Sequence, residues 1–235
     1  MPTGFTYASY QAAIVTQIPS LPTDPNFATM LPDAIDYAEL SICRDLDLLQ
    51  MHGDIALGAA TIGTATYAVP GAVIVLEALY YGPNTIPVAP ASQEFIRAVF
   101  AGAANGPPEN FAVIGAASGA GWSPAAQVLL GPAPDATYTL TGYGTERPAT
   151  LSETNTTTFI SLNLPDLFWA ASMIFWSGYT KNFGAMTDNP QMPISWQSEY
   201  TRLLKGAGVE NARDKFQSQG WQAEAPSPVA TPQRV

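Results

Sequence analysis

Helical periodicity marks both ends of this chain and is missing between them. On the N-terminal side Phe27, Leu31, Ile35, Ala38, Ile42, Leu46 and Leu49 step by 4, 4, 3, 4, 4 and 3, the spacing that lines one face of an α-helix. On the C-terminal side Leu164, Leu167, Phe168, Ala171, Ile174, Phe175 and Tyr179 form a second such stripe. Residues 54–150 show neither stripe; Gly and Pro punctuate them, and β-branched and aromatic residues gather in short runs. A helix repeats every 3.6 residues and a strand every two, so a segment patterned for one cannot bury its apolar face as the other. Helices at both ends with strands inserted between them are the organisation this pattern permits.

At the N-terminus, Tyr7, Tyr10, Gln11, Ile14 and Ile18 predict a short helix over 4–18, ended by Pro19 and followed by a Pro-rich turn to Pro25. Pro32 is best tolerated in a first helical turn, so the second helix is expected to start near Leu31. Asp33, Asp36 and Glu39 then suit the positive end of its dipole. Gly53 is expected to end it, with His52 as a capping side chain. Strands are expected at Thr64–Val69, Val73–Tyr81, Phe111–Ile114, Gln127–Leu130 and Tyr138–Tyr143, with a turn at Gly131–Ala136. Ser92–Phe100 reads as a short helix and the Gly- and Ala-rich residues 101–124 as loop. Helix returns over 163–183, capped by Asn163 with Asp166 in its first turn. Thr187–Pro193 reads as a loop. A last helix is expected over Ile194–Ser218, with Trp196, Tyr200, Leu203, Ala207 and Phe216 on one side. Beyond Gly220, Pro226, Pro228 and Pro232 favour an extended, polyproline-like tail. The expected fold class is α+β. It is mainly an α-helical bundle of about four helices (residues 1–53 and 151–219), with an inserted antiparallel β-subdomain (54–150) and an extended C-terminal tail (220–235).

Charge narrows the function. Only 12 % of residues are charged and the net charge is −10, against roughly 25 % charged in an ordinary soluble domain. Ala, Gly, Thr and Pro stand where a soluble monomer displays Lys and Glu, as expected if much of the surface faces other protein. Residues 1–180 hold three basic and fourteen acidic side chains, and residues 181–235 six basic and five acidic. This balance excludes the basic footprint of a nucleic-acid binder. One cysteine, Cys43, and one histidine, His52, exclude an internal disulfide and a structural zinc site. Asp45, Asp47 and Asp54 could in principle meet a cation, but Asp45 and Asp47 point apart on a helix. There is no G-x-S-x-G, and neither Lys181 nor Lys205 follows a glycine as a phosphate-binding loop requires. No catalytic, cofactor-binding or metal site is expected, and the chain does not read as an enzyme. The N-terminus has neither a basic nor an apolar leader region, so no signal peptide is expected. Asn163, Pro165, Asp166, Ser172 and Ser177 interrupt the apolar stretch 162–179, which reads as a core helix rather than a membrane span.

Several segments together resemble a known family. Ala38-Glu39-Leu40-Ser41-Ile42-Cys43-Arg44-Asp45-Leu46-Asp47-Leu48 is similar to the AE-x-x-I-x-RDLDL helix of tailed-bacteriophage adaptor proteins, the head-to-tail connectors. Val69-Pro70 resembles that family's strand end. The segment from Leu130 through Pro132, Pro134, Asp135 and Tyr138 to Leu140 resembles its L-x-P-x-P-D-x-x-Y hairpin, and Tyr143 through Pro148 to Leu151 its exit from that hairpin. Thr156–Phe159, Asn163–Leu167 and Trp196-Gln197-Ser198-Glu199-Tyr200 match the approaches to its third and fourth helices. The resemblance covers about residues 25–218.

The resemblance implies a structural virion protein made in the host cytoplasm and located in the neck, between capsid and tail. It implies a homo-oligomeric ring of twelve copies under the portal protein, meeting tail nozzle or tail-fibre proteins on its other face. Genomic DNA would pass through without specific binding, and no membrane or cofactor would be involved. The C-terminal segment would dock on the portal, with Trp221, Pro226, Pro228, Val229, Arg234 and Val235 as the binding residues. The competing expectations are another neck or tail component, such as a nozzle or stopper, and a carbohydrate-binding module with coplanar exposed rings on its strands.

Overall fold

The first helix, α1 (Tyr7–Gln17), begins where Thr6 supplies a cap. Thr6 Oγ1 accepts from the Ser9 N–H, and Ser9 Oγ accepts from the Thr6 N–H, a reciprocal pair worth ~1 kcal/mol. The computed structural model describes residues 4–118, 121–180 and 191–218. A 3₁₀ turn at Leu21–Thr23 leads into α2 (Phe27–Asp45). This helix starts four residues before the expected Leu31 and carries Pro32 in its interior, a position that costs ~3 kcal/mol. The added turn buries Phe27, which is 9 % exposed and packs on Trp176 at 5.7 Å. Burying such a ring returns ~2–3 kcal/mol, so tertiary packing sets the boundary that local preference places later. Nor does α2 reach Gly53. It ends at Asp45, and a 3₁₀ turn at Leu49–Met51 leads into the first strand, which holds both His52 and Gly53.

Seven strands follow: β1 (His52–Ala59), β2 (Thr66–Ala68), β3 (Val73–Tyr81), β4 (Ile86–Pro90), β5 (Asn110–Ser118), β6 (Gly121–Gly131) and β7 (Thr139–Glu146), with α3 (Gln93–Val99) between β4 and β5. They form one sheet in the order β1-β7-β3-β4-β5-β6-β2. All pairings are antiparallel except β4 with β5, which is parallel through Ala89–Asn110 and Pro90–Phe111. A parallel step requires a crossover, and α3 lies within it. Leu79, Val88, Phe111, Val128, Leu130 and Leu140 form the buried face, and α3 lays Ile96 on Ala112 and Leu129. On β7 the alternation is plain: Leu140 is buried and Tyr143 is exposed. Gly144 permits a close approach there, since a Cβ on it would stand 2.1 Å from the Val75 carbonyl oxygen.

The C-terminal part adds α4 (Phe159–Asn163), α5 (Pro165–Tyr179) and α6 (Gln191–Ser218). Asn163 is the last residue of α4 and donates its Nδ2 to the Phe159 carbonyl rather than capping α5. Asp166 does sit in the first turn of α5, where its Oδ1 accepts from the Leu167 N–H. Helix α5 is central: Leu167, Phe168, Ala170, Ala171, Met173 and Trp176 are each 1 % exposed or less, packed between α2 and α6. Of the loop expected at Thr187–Pro193, residues 187–190 lie outside the described residues and Gln191–Pro193 are helical.

The expected fold class is therefore corrected. The described residues hold six α-helices rather than about four, and the sheet is no minor antiparallel insertion. It spans most of Gln50–Pro148, a compact unit with its own core and one parallel step. The other compact unit joins the residues up to Leu49 with those from Ala149 on. The assignment of 101–124 to loop holds for 101–109 and is corrected from 110 on, because β5 and β6 pair there from Asn110↔Gly131 to Ser118↔Gly121. Gly and Ala have little side chain to report a strand, yet their backbones make the same ladder. Strands β1 and β4 were not expected. Pro87 and Pro90 argue locally against β4, which pairs with β3 over only three residues. No helix among the described residues is long and apolar enough to cross a membrane.

Candidate functional site

The acids of the 38–48 segment hold the helical unit together. Glu39, only 5 % exposed, accepts from the Leu151 N–H through Oε2 (3.1 Å) and from Thr158 Oγ1 through Oε1 (2.8 Å). Burial pushes its carboxyl above the usual range, while these two bonds pull the other way. Asp45 Oδ2 accepts from Tyr200 Oη at 2.7 Å. Burial, then the neighbouring carboxylate, drives that phenol well above its ordinary value. The Asp47 carbonyl accepts from Asn211 Nδ2 at 2.8 Å, and its carboxylate pairs with Lys215. Each acid thus ties α2, or the chain just after it, to a segment more than a hundred residues away. Asp54 lies on β1. Among the described residues no group of three or more His, Cys, Asp or Glu is placed to hold a metal ion.

Two further polar contacts join the helical unit, one in its core and one at its part-buried edge. Trp176 Nε1 donates to Tyr10 Oη at 3.2 Å, and burial pushes the Tyr10 phenol up to about 12. Tyr179 Oη donates to Asp24 Oδ2 at 2.7 Å. His52 does not cap α2. It stands on β1 with Nδ1 3.4 Å from Thr145 Oγ1 and 3.6 Å from Glu77 Oε1.

The described residues of the helical unit also form concave surfaces. An open groove of about 530 Å³ lies between α1 and the start of α5, lined by Phe5, Ala12, Ala13, Thr16, Pro165 and Trp169 among others. Phe5 stacks on Trp169 at 5.6 Å and 21°. A cleft of about 420 Å³ lies where the α4–α5 junction faces Arg202, Leu203, Gly206, Ala207 and Glu210 of α6. The Arg202 guanidinium there is engaged by Glu199 on its own helix, Nε donating to Oε2 at 2.8 Å. In the sheet unit, Phe95 and Val99, four apart on α3, are 47 % and 53 % exposed.

The residues expected to bind the portal, Trp221, Pro226, Pro228, Val229, Arg234 and Val235, lie outside the described residues. Sequence reasoning did not reach the groove. Its signal is the pair Ala12-Ala13 on a short helix that also carries an apolar face, which reads as composition until α5 is set beside it. For a carbohydrate-binding module, coplanar exposed rings on the strands were expected. The strand-side pair Tyr81 and Tyr138 instead meets edge-on at 75°.

Over residues 5–230 the chain matches the family described as SU10 adaptor protein. No curated protein matches it. Glu39, Asp45, Asp47 and Tyr200, which lie in the segments that carry the resemblance, fall within this range, and their side chains join parts of the chain distant in sequence. The chain belongs to the SU10 adaptor protein family, a family of phage head-tail adaptors.

Proposed function

We propose that this phage structural adaptor forms a ring, of twelve copies, between the portal and the tail, and that it works by assembly rather than by catalysis. The family match over residues 5–230 carries the reading. Two features of the sequence support it. Charged residues are only 12 % of the chain, as suits surfaces covered by neighbours, and the net charge is −10. An acidic ring denies passing DNA the phosphate contacts that drive non-specific binding. In this reading residues 221–235 dock on the portal with Trp221 as anchor, since a buried Trp can contribute ~2 kcal/mol or more to an interface. Repetition around the ring multiplies that contribution through avidity.

The test is to mix the protein with purified portal and weigh the product by native mass spectrometry, with and without residues 221–235. The full chain is expected to add to the portal in multiple copies and the shortened chain to stay free. Equal attachment of both chains removes the tail from the reading, and no attachment of the full chain removes the reading itself. Mobility-shift titration with a short DNA duplex at low salt is expected to show no complex. A tight, salt-sensitive complex contradicts passive passage.

A further inference from the structure

The groove between α1 and α5 has the chemistry of a site for an extended, proline-rich peptide. The stacked rings of Phe5 and Trp169 offer a flat aromatic wall, and Ala12, Ala13 and Pro165 keep the channel open. Peptides already extended in the polyproline form bind such aromatic grooves because little conformational freedom is left to lose.

The chain carries a peptide of this kind. Residues 221–235, outside the described residues, include Trp221, Pro226, Pro228 and Pro232. The reach is sufficient. Pro165 and Asp166 line both the groove and the cleft that α6 enters with Arg202–Glu210. Ser218 follows Glu210 by eight residues, ~12 Å along a helix. Residues 219–225 can span up to ~24 Å when extended, enough to cross a helix ~10 Å wide. A tether this short presents its own end at millimolar effective concentration.

We propose that residues 221–235 occupy the α1/α5 groove of their own chain, with the Pro226–Pro228 stretch against Phe5 and Trp169. This goes beyond the adaptor reading and does not rest on it, because it concerns the chain before any partner is met. The groove then competes with any external partner for the same residues.

The experiment uses the full chain with benzoylphenylalanine in place of Val229, irradiated and digested. Cross-links are expected on peptides covering residues 5–17 and 165–169, in species of single-chain mass. Ala12 is an exposed groove residue of α1, so Ala12→Arg in the same full chain should leave the circular dichroism unchanged while lowering the cross-link yield about fivefold or more. Cross-links confined to other surfaces, cross-links found only in covalent dimers, no cross-link, or a yield that Ala12→Arg does not alter would each overturn the proposal.

Discussion

Glu39 shows how one residue can carry family resemblance for structural reasons. It is an acid buried at 5 % exposure, satisfied by one backbone N–H and one hydroxyl. Glu39→Ala leaves both donors without a partner, a loss of about 2–4 kcal/mol expected in urea denaturation. Glu39→Gln keeps an acceptor and cannot ionise, which isolates the pH effect. Burial raises the folded-state pKa of Glu39 above its usual 4.5, so the folded chain holds this proton after the unfolded chain has released it. The contribution is therefore fully present below 4.5 and is lost as pH rises through the raised value. Wild type should lose stability relative to Glu39→Gln as pH rises above 4.5. A difference that is flat over that rise, or grows in favour of wild type, would show that burial does not govern this carboxyl.

The strands show where local pattern and pairing part company. Residues 73–81 gather β-branched and aromatic residues, and β3 spans Val73–Tyr81 as expected. Of β5 and β6, Phe111–Ile114 and Gln127–Leu130 were expected as strands, whereas the described Ala- and Gly-rich residues between them are revealed as strand only by their pairing. Within the sheet, the glycines differ sharply in what they permit. A Cβ at Gly144 meets the Val75 carbonyl oxygen at 2.1 Å, whereas one at Gly53 meets nothing within 4 Å. Gly144→Ala should destabilise β3 and β7 by about 1–3 kcal/mol, the range for overpacking a filled site. Hydrogen exchange of the amides in those strands measures it. Gly53→Ala, on the neighbouring β1, should change their exchange by less than ~0.5 kcal/mol. Equal effects at the two glycines would mean that the approach at Gly144 is not tight.

At the scale of the whole molecule, charge sets the conditions under which the proposed ring would assemble. Copies of a chain with net charge −10 repel one another, and salt screens that repulsion, with a Debye length of ~10 Å at 0.1 M. Association between copies on a portal should therefore strengthen as salt rises from about 0.05 to 0.5 M, read as copies retained in sedimentation velocity. Weakening over that range would point to ion pairs between neighbours as the main attraction. Association dominated by apolar contacts fits the exposure of Phe95 and Val99 on α3 and of Ile194 and Val209 on α6.

Pattern in the sequence alone determined that helices stand at both ends and strands between them. Its motifs pointed to the adaptor family before any geometry was known. Those features are legible because periodicity, residue counts and short motifs are properties of the chain itself. The extent of α2 past Pro32, the strands hidden in Ala and Gly, the parallel step at β4–β5 and the α1/α5 groove were decided by tertiary structure. Each depends on what lies across from a residue: Trp176 against Phe27, Gly131 against Asn110, Trp169 against Phe5. Burial free energy and ladder hydrogen bonds between distant segments exceed local preference there, and one-dimensional spacing carries no record of them.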